Sequence, residues 1–287
     1  MCGVKSSELK TSFPYQTYFN NTKFTYLKCN DCSSVFVSPS PNKNTINKMY
    51  DKTHYHDLHY QDKSLIEYIK SADLLKKYLK SGATVLDYGC GVGAFLIALK
   101  QSGFTPIGVE YDEKTVLEVF KNTNFTVYSI DGFPKPSSNI KFDAIHLGDV
   151  LEHLPNPKII LEQLLQYLNP AGVLFVEGPL EINHSPVYWA SCIAGRLKKL
   201  IKPNLISNHP PTHLFRVNGE SQLTFLKSIN PSCKLVYWQI YETGWPYANG
   251  GFIKNIISKF AKFIGGKTLF GKTFGNRFKA ILINEHS

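Results

Sequence analysis

The chain has 287 residues, 43% apolar and 19% charged, with a formal net charge of +10. That length and composition fit a soluble globular protein: one large α/β domain with appendages, or two small domains. No run approaches the roughly 18 apolar residues of a membrane span, the N-terminus shows no signal-peptide pattern, and six unevenly spaced cysteines make no disulfide framework, so a reducing cytoplasm is the expected compartment.

Residues 1–42 read as an N-terminal appendage. Cys29-Asn30-Asp31-Cys32 falls between two β-type runs, Phe24–Leu27 and Val35–Val37. Two thiolates separated by two residues on a hairpin turn suit one side of a tetrahedral zinc, and upstream only Cys2 offers a further thiolate. Residues 43–80 read as helical, with a short helix at 44–50 and a longer one at 63–80. Between them, residues 50–60 hold three histidines and three tyrosines, a composition that suits a lid or aromatic packing better than a metal site.

From Ala83 onward strands alternate with helices. Thr84-Val85-Leu86-Asp87-Tyr88-Gly89-Cys90-Gly91-Val92-Gly93 reads as a buried strand, a tight turn and the start of a helix. Further strands are expected at 106–110, 125–129, 142–147 and 172–177, with helices at 113–121 and 157–168. Repeated βα units with apolar strands predict a parallel sheet covered by helices on both faces, with ligands beyond the strands' carboxyl ends. Asp87, Glu110, Asp131 and Asp149 all fall at or just after such ends. The glycine spacing alone also satisfies a loose dinucleotide fingerprint, which keeps an NAD-dependent dehydrogenase as an alternative. Asp87 argues against it, because a carboxylate there repels a pyrophosphate. It suits a ligand carrying an amine and a sulfonium, namely S-adenosylmethionine (SAM).

These segments together resemble the class I SAM-dependent methyltransferases over residues 60–287. Val85–Gly93 is similar to that family's first motif, Glu110 to the acid ending its second strand, and Phe142-Asp143-Ala144-Ile145 to its fourth strand. Asp149-Val150-Leu151-Glu152-His153-Leu154 and Leu168–Val173 resemble the subgroup of ubiquinone-biosynthesis O-methyltransferases. The resemblance implies a Rossmann-like seven-stranded sheet, with a sixth strand near 234–241 and a seventh, antiparallel one near 277–284. It implies a methyltransferase domain over 81–287 with basic helical insertions at 183–206 and 252–264, preceded by helices at 43–80. The cofactor site implied is Asp87, Tyr88, Gly89, Gly91, Gly93, Glu110, Tyr111, Asp131, Gly132 and Asp149. The Cys29–Cys32 stretch resembles the zinc-ribbon preface of some bacterial sugar methyltransferases, although only Cys2-Gly3 remains of its first half; the expected metal ligands are Cys2, Cys29 and Cys32.

Glu110 can accept hydrogen bonds from both ribose hydroxyls, and Asp131 from the adenine amino group while Gly132 leaves room for the ring. A general base for the methyl acceptor points to histidine, with His153 first and His213 second. Asp149 and Glu152 offer the alternative of a divalent cation. The expected acceptor is a small molecule: a glycan, a sugar nucleotide or a lipid-linked precursor. A non-catalytic SAM-binding module is the rival reading. Residues 183–287 carry 14 Lys or Arg against 3 acids, which suggests an anionic partner, either a membrane surface or a phosphorylated substrate. No nucleic-acid module appears.

Overall fold

A computed structural model of the chain describes residues 9–50, 65–204 and 206–285. Cys2 and the His/Tyr-rich stretch after Tyr50 lie outside them. The N-terminal segment forms strands β1 (Leu9–Phe19), β2 (Thr22–Cys29) and β3 (Val35–Ser38), followed by helices α1 (Lys43–Met49) and α2 (Leu65–Leu75). Next come β4 (Thr84–Tyr88), α3 (Ala94–Gln101), β5 (Thr105–Glu110), α4 (Glu113–Thr123), β6 (Val127–Ser129), β7 (Phe142–Gly148), α5 (Pro157–Leu165) and β8 (Leu168–Pro179). The remainder is α6 (Pro186–Ile201), β9 (Phe215–Arg216), α7 (Gly219–Lys227), β10 (Cys233–Tyr241), α8 (Phe252–Ile264), a small hairpin of β11 (Thr268–Leu269) and β12 (Lys272–Thr273), and β13 (Arg277–Asn284).

Seven strands form the main sheet in the order β10-β13-β8-β7-β4-β5-β6. The pairs among β8, β7, β4, β5 and β6 are parallel, and β13 runs antiparallel between β8 and β10. This is the seven-stranded architecture expected from the βα alternation and the resemblance. Strand order reverses at β4, whose neighbours are β5 and β7, so the crevice beyond their carboxyl ends is the switch point where ligands bind. Alternate side chains of the buried strands supply two apolar layers. Leu86, Ile145, Leu174 and Leu282 face one way with α5 and α7, while Val85, Ala144, Phe175 and Ile281 face α2 and α3.

Helix starts follow their capping chemistry. Asp112 accepts from Thr115 N, Ser185 from Val187 N with Pro186 behind it, and Asn218 makes a capping box with Ser221. α3 differs, because its N-cap is Gly93 in the left-handed region with no side-chain cap. β8 begins at Leu168, four residues before the strand expected at 172. Residues 169–172 form a bulge with Ala171 at φ 58°, and pairing to β7 shifts between Leu168 and Val173.

The N-terminal strands also pair with a later part of the chain. β3 pairs with β9, so β1, β2, β3 and β9 form one four-stranded sheet. Thr17 Oγ1 also donates to the carbonyls of Ser207 and His209.

Candidate active site

The turn after β4 uses three glycines at positive φ: Gly89 at 82°, Gly91 at 52° and Gly93 at 82°. Gly89 is also a point of close approach, since a Cβ there would lie 2.6 Å from Val150 Cγ2. The turn that follows β7 therefore rests on the glycine loop, and this brings the segment from Asp149 to His153 to the switch point.

Glu110, buried at the end of β5, reaches back to the loop. Its Oε2 accepts from Gly91 N at 2.7 Å and its Oε1 from Tyr111 N at 2.6 Å. Each carboxylate oxygen has two lone pairs, so the group can hold the loop and accept from a ligand at the same time. Tyr111 is exposed, its hydroxyl donates to Asn47 of α1 at 2.5 Å, and its own ionisation is suppressed by burial and by the charge of Asp131 nearby. Asp131 and Gly132 form an exposed turn after β6, with Gly132 N donating to Ser129. A ring of acceptors with no basic side chain among these loop residues suits a ligand bearing hydroxyls and an ammonium better than a pyrophosphate.

Two expected cofactor residues have other surroundings. Tyr88 belongs to the apolar layer with Leu86 and Val109, so only its backbone is available to a ligand. Asp87 is 3% exposed and its Oδ1 lies 2.7 Å from His146 Nδ1. His146 sits between Phe95 and Phe175 at ring distances of 4.0 and 4.9 Å, with its Nε2 3.6 Å from Glu177 Oε1. Glu177 in turn accepts from Ser71 at 2.9 Å and lies 3.5 Å from Lys279 Nζ. Asp87, expected as a cofactor-binding strand-end acid, also terminates a buried charged row crossing β4, β7, β8 and β13. Burial disfavours the imidazolium of His146, but the bond and charge of Asp87 outweigh it and raise the pKa to about 9. Burial likewise opposes the Glu177 carboxylate, and His146 with Lys279 outweighs it, holding its pKa at about 2.

His153 and His213, 60 positions apart, meet edge to face at 4.7 Å. His153 Nδ1 lies 2.8 Å from the Thr212 carbonyl, which fixes the proton on that nitrogen and leaves Nε2 as an acceptor, 3.8 Å from Glu152 Oε1. Burial, and then the charge of His213, pull His153 down to about 3, so it is neutral. Burial, then Asp149, pushes Glu152 up to about 7. His213 is raised despite burial because Glu181 stands 3.0 Å from its Nδ1. Tyr50 links this cluster to the end of β5, with its ring 5.8 Å from His153 and 6.1 Å from Tyr111.

Asp149, in the left-handed region at φ 56°, pairs with Arg277 of β13 at 2.5 Å. It is therefore engaged by a cation of the protein. Among the described residues, Glu152, His153 and His213 form a group able to hold a divalent metal, with ligand atoms within 4.8 Å of one another. Cys29, at the end of β2, is buried and Cys32 is half-buried in the turn before β3; the third expected ligand, Cys2, lies outside the described residues. Arg277, Glu181, Arg216 and His146 escaped the sequence reading, since each lies far along the chain from the group it serves. A cavity of about 530 Å³ opens between α7, the N-terminus of α5 and the Asp31–Ser34 turn. It touches Leu151 and Glu152 but none of Gly89–Gly93 or Glu110, and the buried Gln222 on its wall has an amide nitrogen with no partner among the described residues.

A family model described as "Methyltransferase domain" matches residues 58–217. The chain is 26% identical over 130 residues to the mitochondrial ubiquinone biosynthesis O-methyltransferase of Dictyostelium discoideum, a match covering 40% of each chain. It is 30% identical over 107 residues to (S)-coclaurine N-methyltransferase of Papaver somniferum, covering 34% of this chain and 30% of that one. The matches thus span less than half the length of these relatives. In fold, the chain is similar to a chain of the solved complex containing the Haloferax volcanii Trm112 methyltransferase activator. That likeness has a TM-score of 0.53 at 12% identity and covers 86% of this chain and 100% of that one.

Proposed function

Because the chain belongs to the methyltransferase-domain family, we propose that it transfers a methyl group from SAM to a polyhydroxylated small molecule: a glycan, a sugar nucleotide or a lipid-linked precursor. The observation that supports this reading is the close approach of Val150 to the glycine loop at Gly89, with Glu152 and His153 following two and three residues later in the same turn. Bound SAM supplies an already activated methyl group on a sulfonium, so the protein's work is alignment, proton removal and exclusion of water.

Glu110 takes the ribose hydroxyls, and the N–H groups of the glycine turn with the uncapped start of α3 face the amino-acid end. The cavity bordered by Glu152, whose size falls in the small-molecule range of about 300–1,000 Å³, takes the body of the acceptor, while its reacting hydroxyl extends past Glu152 toward His153 and the glycine turn. Ser33, Ser34, Asn218, Ser221 and the unpartnered Gln222 amide favour an acceptor rich in hydroxyls. His153 Nε2 accepts the acceptor's proton, and Glu152 beside it stabilises the imidazolium that forms. His213, held by Glu181, fixes the ring from its edge. Glu152 must be ionised for this, so activity is expected to fall as pH drops through about 7, and Glu152→Gln should remove that limb and lower kcat by about 10²–10⁴.

Calorimetric titration with SAM and with NAD, followed by an acceptor screen with methyl-labelled SAM, tests the proposal. Binding of NAD in place of SAM would restore the dehydrogenase reading. SAM binding without transfer to any hydroxylated acceptor would leave a non-catalytic binding module. The convergence of Glu152, His153 and His213 supports a second reading, a divalent cation that binds the acceptor's hydroxyls; activity abolished by chelator and restored by added metal would select it.

A further inference from the structure

Helix α8 is docked the opposite way from a core helix. Its inward side is Ser258, Ala261 and Ile264, and the fit is close enough that a Cβ on Gly244 would collide with Ser258. The bulky side faces out, with Phe252, Ile256, Phe260 and Phe263 following the helical repeat and Phe252 81% exposed. α6 packs against α8 and shows the same pattern, with Trp189, Ile193, Leu197 and Ile201 at intervals of four, all exposed. The hairpin after α8 adds Leu269 and a fully exposed Phe270 at its tip, and Phe274 at its base lies 5.6 Å from Trp189. Isolated exposed apolar residues are ordinary, but two contacting helices and a loop tip that all expose them are not.

Charge says what covers this face. Arg196, Lys198, Lys199 and Lys202 flank the α6 stripe, and Lys254, Lys259 and Lys262 flank that of α8. No acidic residue occurs between Ile182 and Gly219 or between Thr243 and Asn284. A second copy of the chain would set cation against cation. At 13 residues, or about 20 Å, α8 is too short to cross a bilayer, and no described helix is long and apolar enough to do so. A helix of that length with bulky apolar residues and interleaved lysines lies in the plane of a lipid interface.

We infer that α6, α8 and the hairpin tip dock the protein onto an anionic lipid bilayer, with the aromatic and aliphatic side chains entering the headgroup boundary and the lysines meeting the phosphates. The inference stands on exposure and charge and does not require methyl transfer; combined with the activity proposed above, it places the site where a lipid-linked acceptor resides.

The test is co-sedimentation of the full chain with vesicles of phosphatidylcholine alone or mixed with phosphatidylglycerol. Wild type should pellet with the anionic vesicles at low salt, and binding should fall at least about tenfold as salt rises from about 0.05 to 0.5 M. Lys254→Gln/Lys259→Gln/Lys262→Gln should weaken binding by roughly tenfold or more, and Phe252→Ser/Phe260→Ser/Phe263→Ser should abolish it. Since all six positions are exposed, melting temperature and SAM titration of both variants should match wild type, which separates failure of docking from failure of the cofactor reading. Wild type remaining in the supernatant with anionic vesicles at low salt, equal binding to neutral vesicles, or a stable dimer by analytical ultracentrifugation that the Phe variant dissolves would each overturn the inference.

Discussion

Glu110 has two tasks, tying down the glycine loop through Gly91 N and Tyr111 N and offering its remaining lone pairs to a ligand. Glu110→Ala should weaken SAM binding by about 1.5–3 kcal/mol, the range for hydrogen bonds to a charged group, which calorimetry reads as a ten- to hundredfold rise in Kd. Unchanged affinity in the folded variant would remove Glu110 from the site. His146 belongs to stability. Its folded pKa of about 9 exceeds the ordinary 6.5, so its contribution is complete below about pH 6.5 and is lost as pH rises through 9. Glu177 has the opposite sign: held at about 2 against 4.5, it contributes above pH 4.5 and loses that contribution as pH falls through 2. Melting temperature should therefore decline on the alkaline side, and His146→Phe should remove that decline. The variant should also cost about 3–5 kcal/mol, because two buried carboxylates lose their partner. Strand-end acids such as Asp87 and Glu110 were legible because they interrupt apolar runs. That Asp87 would be claimed by His146, 59 residues on, was not, since only the parallel pairing of β4 with β7 makes them neighbours.

At the scale of elements, sequence periodicity located the strands and helices of the parallel half of the sheet to within a few residues, because buried strands are short apolar runs bounded by turn residues. It did not settle how α8 is oriented. An amphipathic segment has one apolar side whether that side meets a core or a lipid surface, and only the small inward residues Ser258 and Ala261 decide between them. The bulge at 169–172 was hidden for a related reason, since Asn-Pro-Ala-Gly reads as a plain turn between a helix and a strand. The element most exposed to a single substitution is the turn between β4 and α3. Gly89→Ala would force a Cβ to within 2.6 Å of Val150 Cγ2 on a backbone already at φ 82°. The strain alone costs about 1–3 kcal/mol, and relief requires Val150 to move, carrying Glu152 and His153 with it. Both SAM affinity and kcat should fall, with thermal melting and single-turnover kinetics as the readouts. A variant with lowered stability but wild-type turnover would show that the turn after β7 does not depend on the glycine loop.

Across the whole molecule, the N-terminal sheet buttresses the Glu152–His153–His213 cluster. Val37 N donates to the Leu214 carbonyl at 3.0 Å, and Leu214 N donates to the Glu152 carbonyl at 2.7 Å, so β3 fixes the backbone immediately after His213 and ties it to Glu152. Arg216 lies over the Tyr26 ring at 5.0 Å and pairs at 3.5 Å with Glu181, the carboxylate that holds His213. Phe24, Tyr26, Val35 and Val37 make the small apolar cluster beneath these contacts. Cys29 and Cys32 flank the turn that joins β2 to β3, so a zinc bound there would stiffen this buttress and take no part in the chemistry. If the sheet and the main domain form one cooperative unit, calorimetry of the full chain should give a single transition whose calorimetric and van't Hoff enthalpies agree. Val37→Asp would bury an unpaired carboxylate in the small cluster, and it should lower that one transition by several degrees without splitting it. The same variant should lose turnover while keeping SAM affinity, because it loosens His213 and leaves Glu110 and the glycine loop untouched. A separate low-temperature transition, with the main one and kcat unchanged, would make residues 1–42 an independent appendage after all.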